Sequence, residues 1–185
     1  AVQPEGEHPE LLALAQVRGT GIGNALHSVL ERRAIDQPLI AQPALLRESL
    51  VGEGLWKDER DGQRLATALA KRLDAVLATP LADDMPAIGA LAQDELRAEM
   101  EFYYALGDTS LQRLREACIA HGAANLLPEG ERALRGLMTG KIDLLFAHDG
   151  RVHVLDWKGN FLGLRTSDYA MPGMAREMAH HHYGL

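Results

Sequence analysis

Asp143, Asp156 and Lys158 are the residues of this sequence whose types and spacing could carry chemistry. Both aspartates lie inside apolar runs, at residues 142–146 and 152–157, and such runs are typical of buried β-strands. An ionised carboxylate is costly to bury in a strand unless another group compensates its charge. The two aspartates are therefore candidate functional residues.

The dipeptide Asp149-Gly150 between the two runs predicts a β-hairpin with a two-residue type I′ turn. That turn pairs His148 with Arg151. Counting outward from this pair places the two aspartates directly opposite each other, with Cβ atoms roughly 4.5–5.5 Å apart. The lysine follows the second aspartate by two residues, so its side chain is expected on the same face of the sheet.

Two like charges that face each other across a sheet are unfavourable, so either one carboxylate is protonated or a positive group lies between them. A divalent cation meets this need, because Mg²⁺ binds one or two protein carboxylates together with water and phosphate oxygens. Lys158 would then orient an attacking water or stabilise charge on a phosphate. The alternative is a pair of ordinary salt bridges in which Lys141 and Lys158 are the partners.

The composition is that of one globular domain, which we place at residues 1–185: 46% of the residues are apolar and 24% are charged. The net charge of −7 argues against a domain that binds nucleic acid through a basic surface, and less against an enzyme whose carboxylates hold a cation. No apolar run reaches the ~18–20 residues of a membrane span, and no signal peptide is visible. With the single Cys118, this predicts a cytoplasmic protein without membrane contact.

Periodicity and capping signals predict the elements that position these residues. An apolar stripe from Leu65 to Leu77, which includes Val76, is typical of an amphipathic helix at residues 62–78. The other predicted elements are a short helix or lead-in segment at 9–17, a helix at 21–35, a strand in the aromatic-rich second half of residues 97–106, a helix from Ser110 to about His121, the two hairpin strands and a helix at 168–183. This order predicts an α/β fold with a small mixed β-sheet flanked by helices.

Several motifs, in this order along the chain, resemble the PD-(D/E)XK nuclease superfamily and, more closely, the RecB-type nuclease domain of exodeoxyribonuclease V. The motifs are Gly21-Ile-Gly23-Asn-Ala-Leu-His27, Glu99-Met-Glu101-Phe102, Gly140-Lys-Ile-Asp143 and Val154-Leu-Asp156-Trp-Lys158-Gly-Asn160. The resemblance covers nearly the whole chain. It implies a restriction-endonuclease-like core that hydrolyses DNA phosphodiester bonds with Mg²⁺, in a site that Mn²⁺ or Ca²⁺ can also occupy.

The resemblance also implies roles for individual residues. His27, Asp143 and Asp156 would be metal ligands, and Asp143, Asp156 and Lys158 would be catalytic. Glu101 competes with Glu99 for the position of the family's acidic strand residue. The candidates for supporting roles in the active site are Glu99, Glu31, Asn160 and Tyr183.

By the same resemblance, the chain is expected to be the C-terminal fragment of a longer helicase–nuclease of the bacterial cytoplasm, with RecC-like and RecD-like subunits. Its substrates would be single DNA strands, or duplex ends unwound by the helicase, during double-strand break repair and recombination. The sequence ends at Leu185, one residue before a glutamine expected in the family. Two alternatives remain: a nuclease-like domain that binds DNA or protein without cutting, and a stand-alone endonuclease of the superfamily.

Overall fold

The structure is a computed structural model that describes residues 6–122 and 127–181, with the backbone alone at Asp108. Tyr183 lies outside the described residues. The described residues contain six α-helices and five β-strands, which confirms the predicted α/β class. The helices are α1 (Pro9–Leu14), α2 (Thr20–Arg32), α3 (Pro43–Gly52), α4 (Glu59–Ala78), α5 (Leu111–Ala120) and α6 (Met171–His180). The strands are β1 (Pro80–Ala82), β2 (Met85–Ala87), β3 (Leu96–Ser110), β4 (Ala133–His148) and β5 (Arg151–Leu155).

The chain divides into two compact units. The first consists of Ala1–Met100 and Ile142–Asp168, and the second consists of Glu101–Lys141 and Tyr169–Leu185. Every described residue with a predicted role in the site belongs to the first unit, except Glu101, the competitor of Glu99, which belongs to the second. That residues 1–185 form one functional domain stays a prediction.

The hydrophobic core of the first unit lies between α2, α3 and α4, which pack against one another. Apolar residues at helical spacing face this core from each helix, since removing apolar surface from water is the main driving force for folding. The core side chains that are no more than 2% exposed include Val29, Leu39, Leu46, Leu50, Ile88, Leu144 and Phe146. Helix α3 was not among the predicted elements, although its Pro43 in the first turn is a common helix-start signal.

Helix α4 begins earlier than the sequence predicts, because the Asp58 side chain caps it by accepting a hydrogen bond from the N–H of Asp61 at 2.8 Å. The predicted apolar stripe is buried except at Val76, which is 47% exposed. The last turn of α4 packs against the 3₁₀ turn Ile88–Ala90, which covers Leu77 and leaves Val76 in solvent. The prediction was therefore wrong at Val76.

Strands β4 and β5 form the predicted antiparallel hairpin, in which His148 pairs with Arg151 and Leu144 pairs with Leu155. Asp149 and Gly150 have φ angles of 49° and 71°, as a type I′ turn requires. The predicted register is confirmed. Strand β5 ends at Leu155, so the two candidate aspartates lie just beyond the last paired residues.

The two strands of this hairpin differ in burial. The strands form a three-stranded sheet in the order β3-β4-β5, which puts β5 at an edge among the described strands. Leu144 and Phe146 on β4 are 2% exposed, whereas Val152 and Val154 on β5 are 71% and 68% exposed. The prediction of two buried strands therefore holds for this part of β4 and is wrong for β5.

The second unit contains the predicted capped helix. Ser110 accepts a hydrogen bond from the N–H of Arg113 at 3.2 Å, which confirms it as the N-cap of α5. Strands β3 and β4 approach each other closely at Gly140, where an added Cβ atom would lie 2.7 Å from the ring of Phe102. Within the described residues, every helix is too short or too polar to cross a bilayer.

Candidate active site

His27 is presented by α2, whose opposite face is fixed in the core. Ala25 and Val29 on that helix are fully buried, and His27, about half a turn from both, faces away from them. The His27 side chain is 33% exposed. The helix starts after Gly19, which adopts a φ of 92° that favours glycine. The start of the helix that carries the imidazole therefore depends on a glycine.

Glu99 is presented by β3 from an unusual backbone conformation. Its φ is 50°, in the left-handed region that non-glycine residues rarely adopt. The Glu99 side chain is 18% exposed. Its competitor Glu101 is exposed and accepts a hydrogen bond from the Tyr103 hydroxyl at 2.9 Å. Backbone strain of this kind clusters at functional sites.

Asp143 is presented by β4 next to the buried Leu144, and its side chain is only 12% exposed. Its Oδ2 atom accepts a hydrogen bond from the backbone N–H of Trp157 at 2.6 Å. Its Oδ1 atom lies 3.6 Å from Nδ1 of His27. One carboxylate thus anchors the segment that follows β5 with one oxygen and faces the imidazole with the other.

These three side chains converge. The distance from His27 Nδ1 to Glu99 Oε1 is 3.9 Å, and one ligand atom from each of His27, Glu99 and Asp143 lies within 4.8 Å of the others. We call this set the triad cluster. Two carboxylates held this close repel each other, and a cation between them removes that cost. Carboxylate oxygens and an imidazole nitrogen are established ligands for divalent cations, so the donor set fits a metal.

Asp156 and Lys158 lie in the segment that follows β5. They form an ion pair through Asp156 Oδ2 and Lys158 Nζ, which matches the salt-bridge alternative for this lysine. The side chains are 58% and 36% exposed. Asp156 is not a member of the triad cluster, so its role as a metal ligand stays a prediction, as do the catalytic roles of both residues.

The remaining candidates are placed as follows. Glu31 is exposed on α2, one turn after His27. Asn160 is partly buried in the segment after β5. For Glu31, Asn160 and Tyr183, a supporting role stays a prediction.

Two features of the site were not predicted from the sequence. One is the hydrogen bond from the Trp157 N–H to Asp143, which depends on where β5 ends. The other is the packing of Gly159 against α2, where its added Cβ atom would lie 3.6 Å from Leu26 and 3.8 Å from the Cα atom of Gly23. Glycine at both Gly23 and Gly159 was the available signal, because it permits backbones to approach closely.

Comparison with known proteins agrees with this geometry. The sequence profile of the PD-(D/E)XK nuclease superfamily matches residues 7–171. The RecBCD enzyme subunit RecB of Escherichia coli (strain K12) is 31% identical over 97% of this chain and 15% of its own length. The RecBCD enzyme subunit RecB of Haemophilus influenzae is 29% identical over 90% of this chain and 13% of its own length. The chain thus spans about a seventh of these relatives. It belongs to the PD-(D/E)XK nuclease superfamily and, within it, is related to RecB.

Proposed function

We propose that this chain is a metal-dependent deoxyribonuclease domain that hydrolyses DNA phosphodiester bonds. The observation that carries the proposal is the triad cluster, which brings an imidazole and two carboxylates from distant parts of the chain within 4.8 Å of one another. In a member of a nuclease superfamily, such a donor set is best explained as a metal site for phosphodiester hydrolysis.

The residues of the triad cluster would hold the metal, with Asp156 as a further ligand. A bound divalent cation supplies Lewis acidity toward the scissile phosphate and lowers the pKa of a nearby water. The Trp157 N–H orients the Asp143 carboxylate, as groups bonded to metal ligands commonly do. This arrangement leaves one oxygen of Asp143 facing the imidazole.

Lys158 would act on the substrate. Its ion pair with Asp156 holds the ammonium group beside the expected metal ligand. An ammonium there can donate a hydrogen bond to the attacking water and stabilise the negative charge that develops on the phosphate.

We propose Mg²⁺ as the physiological metal, with Mn²⁺ and Ca²⁺ able to occupy the same site. Carboxylate oxygens suit all three ions, and the imidazole of His27 makes Mn²⁺ a good substitute. The proposed mode of cleavage is exonucleolytic, on single strands or on duplex ends that a helicase has unwound.

The whole protein would then be a helicase–nuclease for double-strand break repair, because the relatives named above are subunits of the RecBCD enzyme. We propose RecC-like and RecD-like subunits as partners and the bacterial cytoplasm as the location. Both proposals follow from the relatives rather than from this chain's own geometry.

The test is cleavage of end-labelled single-stranded and duplex DNA by the purified intact protein, with Mg²⁺, Mn²⁺, Ca²⁺ or a chelator. We expect metal-dependent cleavage that Asp143→Asn and Lys158→Ala each reduce by at least about 100-fold, the usual scale for an electrostatic group in a hydrolytic site. Asp84→Asn, at an exposed position outside the triad cluster, is the matched surface control. DNA binding without cleavage, by protein whose metal site binds Mn²⁺, would overturn the proposal and favour a non-cutting binding domain.

A further inference from the structure

The segment that follows β5 packs against the start of α2. Gly159, directly after Lys158, lies close to that helix, and its added Cβ atom would be 3.8 Å from the Cα atom of Gly23. Two residues further on, the Phe161 ring contacts Arg18, whose guanidinium carbon lies 5.0 Å from the ring centre. The chain after Lys158 therefore runs toward Arg18 along the first turn of α2.

The two stretches of chain that meet here carry positive charge and no acidic residue. Residues 11–30 contain Arg18 and neither aspartate nor glutamate. Residues 157–167 contain Lys158 and Arg165, again without an acidic residue. The whole chain has a net charge of −7, so these stretches differ in sign from the protein as a whole. A local excess of positive charge beside the proposed active site suits a negatively charged substrate.

Arg18 is exposed and forms no ion pair with any acidic residue that the structure describes. Its contact with Phe161 limits the conformations of the side chain without neutralising the charge. The Glu53 carboxylate approaches the first turn of α2 from the end of α3, but it accepts a hydrogen bond from Asn24 at 3.2 Å. An exposed guanidinium that is restrained and keeps its full charge is well suited to bind a phosphate.

A second arginine makes the same kind of ring contact with a different charge balance. The guanidinium carbon of Arg47 lies 5.2 Å from the centre of the Trp56 ring. Its Nη2 atom also lies 3.6 Å from Oε2 of Glu59, so a carboxylate of the fold offsets its charge. Contact with an aromatic ring is therefore common to both arginines, whereas only Arg47 has an acidic partner among the described residues.

We propose that Arg18, supported by the Phe161 ring, binds a backbone phosphate of the DNA strand other than the scissile phosphate. The proposal rests on the function proposed above, since it adds a substrate contact to the same site. Contacts with phosphates fix the position of a strand without reading its bases. Arg18 would therefore hold strands of any sequence so that the scissile phosphate meets Lys158 and the metal.

The kinetic test compares wild type, Arg18→Ala, Arg18→Lys and the control Arg47→Ala in the intact protein, with single-stranded DNA as substrate. Arg18→Ala should raise KM for DNA by about fivefold to twentyfold, the scale of a charge-assisted hydrogen bond at an exposed site. Its kcat and its Mn²⁺ dissociation constant should stay within about twofold of wild type, because the triad cluster is unchanged. Arg18→Lys keeps the charge and should recover most of the loss. Equal KM values in Arg18→Ala and Arg47→Ala would overturn the proposal.

The salt dependence of cleavage tests whether the contact is ionic. Each phosphate contact with a single strand contributes about 0.7 to the slope of log affinity against log salt concentration. The slope of log kcat/KM against log NaCl concentration should therefore be shallower by about 0.7 in Arg18→Ala than in wild type. Phe161→Leu removes the ring but keeps the guanidinium, so it should raise KM and leave the slope unchanged. Equal slopes in wild type and Arg18→Ala would contradict a phosphate contact.

A measurement that needs no cleavage separates this proposal from the nuclease proposal. Phenylglyoxal modifies exposed arginine side chains, and mass spectrometry gives the extent of modification at each position. With a chelator present, saturating oligothymidylate should slow the modification of Arg18 by at least about fivefold and that of Arg47 by less than about twofold. If the protein fails to cut DNA but Arg18 is protected, the nuclease proposal fails and the phosphate contact stands. If the protein cuts DNA and the oligonucleotide leaves Arg18 unprotected, the phosphate contact fails and the nuclease proposal stands.

Discussion

The Oδ2 atom of Asp143 accepts a hydrogen bond of 2.6 Å from the backbone N–H of Trp157. This bond joins the strand that carries a proposed metal ligand to the segment that carries the proposed catalytic lysine. The carboxylate therefore has two separable tasks. One task needs an acceptor oxygen, and the other needs negative charge.

Asp143→Asn should separate these tasks. The amide keeps an acceptor oxygen for the Trp157 N–H but removes the charge, so we expect near-wild-type thermal stability with loss of Mn²⁺ binding and DNA cleavage. Asp143→Ala should lose both, with an additional decrease of about 1–3 kcal/mol in the free energy of unfolding, because a partly buried N–H is left without its acceptor. Urea unfolding and calorimetric metal titration measure the two effects. If the two variants were equally stable, the hydrogen bond from the Trp157 N–H to Asp143 would not contribute to the stability of the fold.

His27→Ala should weaken Mn²⁺ binding by at least about tenfold, because one of three converging ligand atoms is removed. His121→Ala is the matched control, because His121 is an exposed histidine outside the triad cluster. Calorimetric titration of both variants gives the comparison. Unchanged affinity in His27→Ala would remove the imidazole from the metal site.

Glu99→Gly should make the fold more stable while it abolishes metal binding. Glycine adopts a φ of 50° without strain, and the substitution also removes one of two carboxylates held close together. In metal-free buffer, we expect the free energy of unfolding to be about 1 kcal/mol higher for Glu99→Gly than for Glu99→Gln. Glu99→Gln removes the charge but keeps the strained backbone, so the difference isolates the strain. If Glu99→Gly proved less stable than Glu99→Gln, the backbone at residue 99 would be shown to be relaxed.

Gly62→Ala tests whether packing or helix propensity decides the stability of α4. Propensity favours alanine over glycine inside a helix by about 1 kcal/mol. An added Cβ atom at Gly62 would, however, lie 2.3 Å from the indole of Trp56. We therefore expect a loss of about 1–3 kcal/mol from overpacking, seen as a lower urea midpoint. Gly52→Ala is the control, because no atom lies within 4 Å of its added Cβ, and it should not lose stability.

Glu10→Gln should have a pH-dependent effect on stability. A hydrogen bond from its own backbone amide, followed by the contacts with Lys71 and His8, lowers the pKa of Glu10 below its ordinary value of 4.5. The folded protein therefore stabilises the ionised carboxylate, and this stability is present above pH 4.5 and lost as the pH falls through the lowered pKa. Wild type should be more stable than Glu10→Gln at pH 7, and the difference should shrink in acid. Glu7→Gln, at an exposed neighbouring position, is the control variant.

The sequence by itself determined the features that depend on neighbours along the chain. Asp149-Gly150 specifies a type I′ turn, and the turn alone fixes the register of β4 and β5. Ser110 specifies the start of α5 through a bond to a residue three positions away. The order of motifs also sufficed to predict the nuclease superfamily.

Only the tertiary structure decided how the site is assembled. His27, Glu99 and Asp143 come from α2, β3 and β4, and the packing of those elements on a common core sets the distances between their ligand atoms. The left-handed backbone at Glu99 has no sequence signal, because side-chain type alone does not predict a positive φ in a non-glycine residue. The register correctly predicts which residues of β4 and β5 face each other, but pairing stops at Leu155. Beyond that point the Trp157 N–H bonds to Asp143, and Asp156 pairs with Lys158, because a side-chain acceptor replaces the ladder where the strand ends.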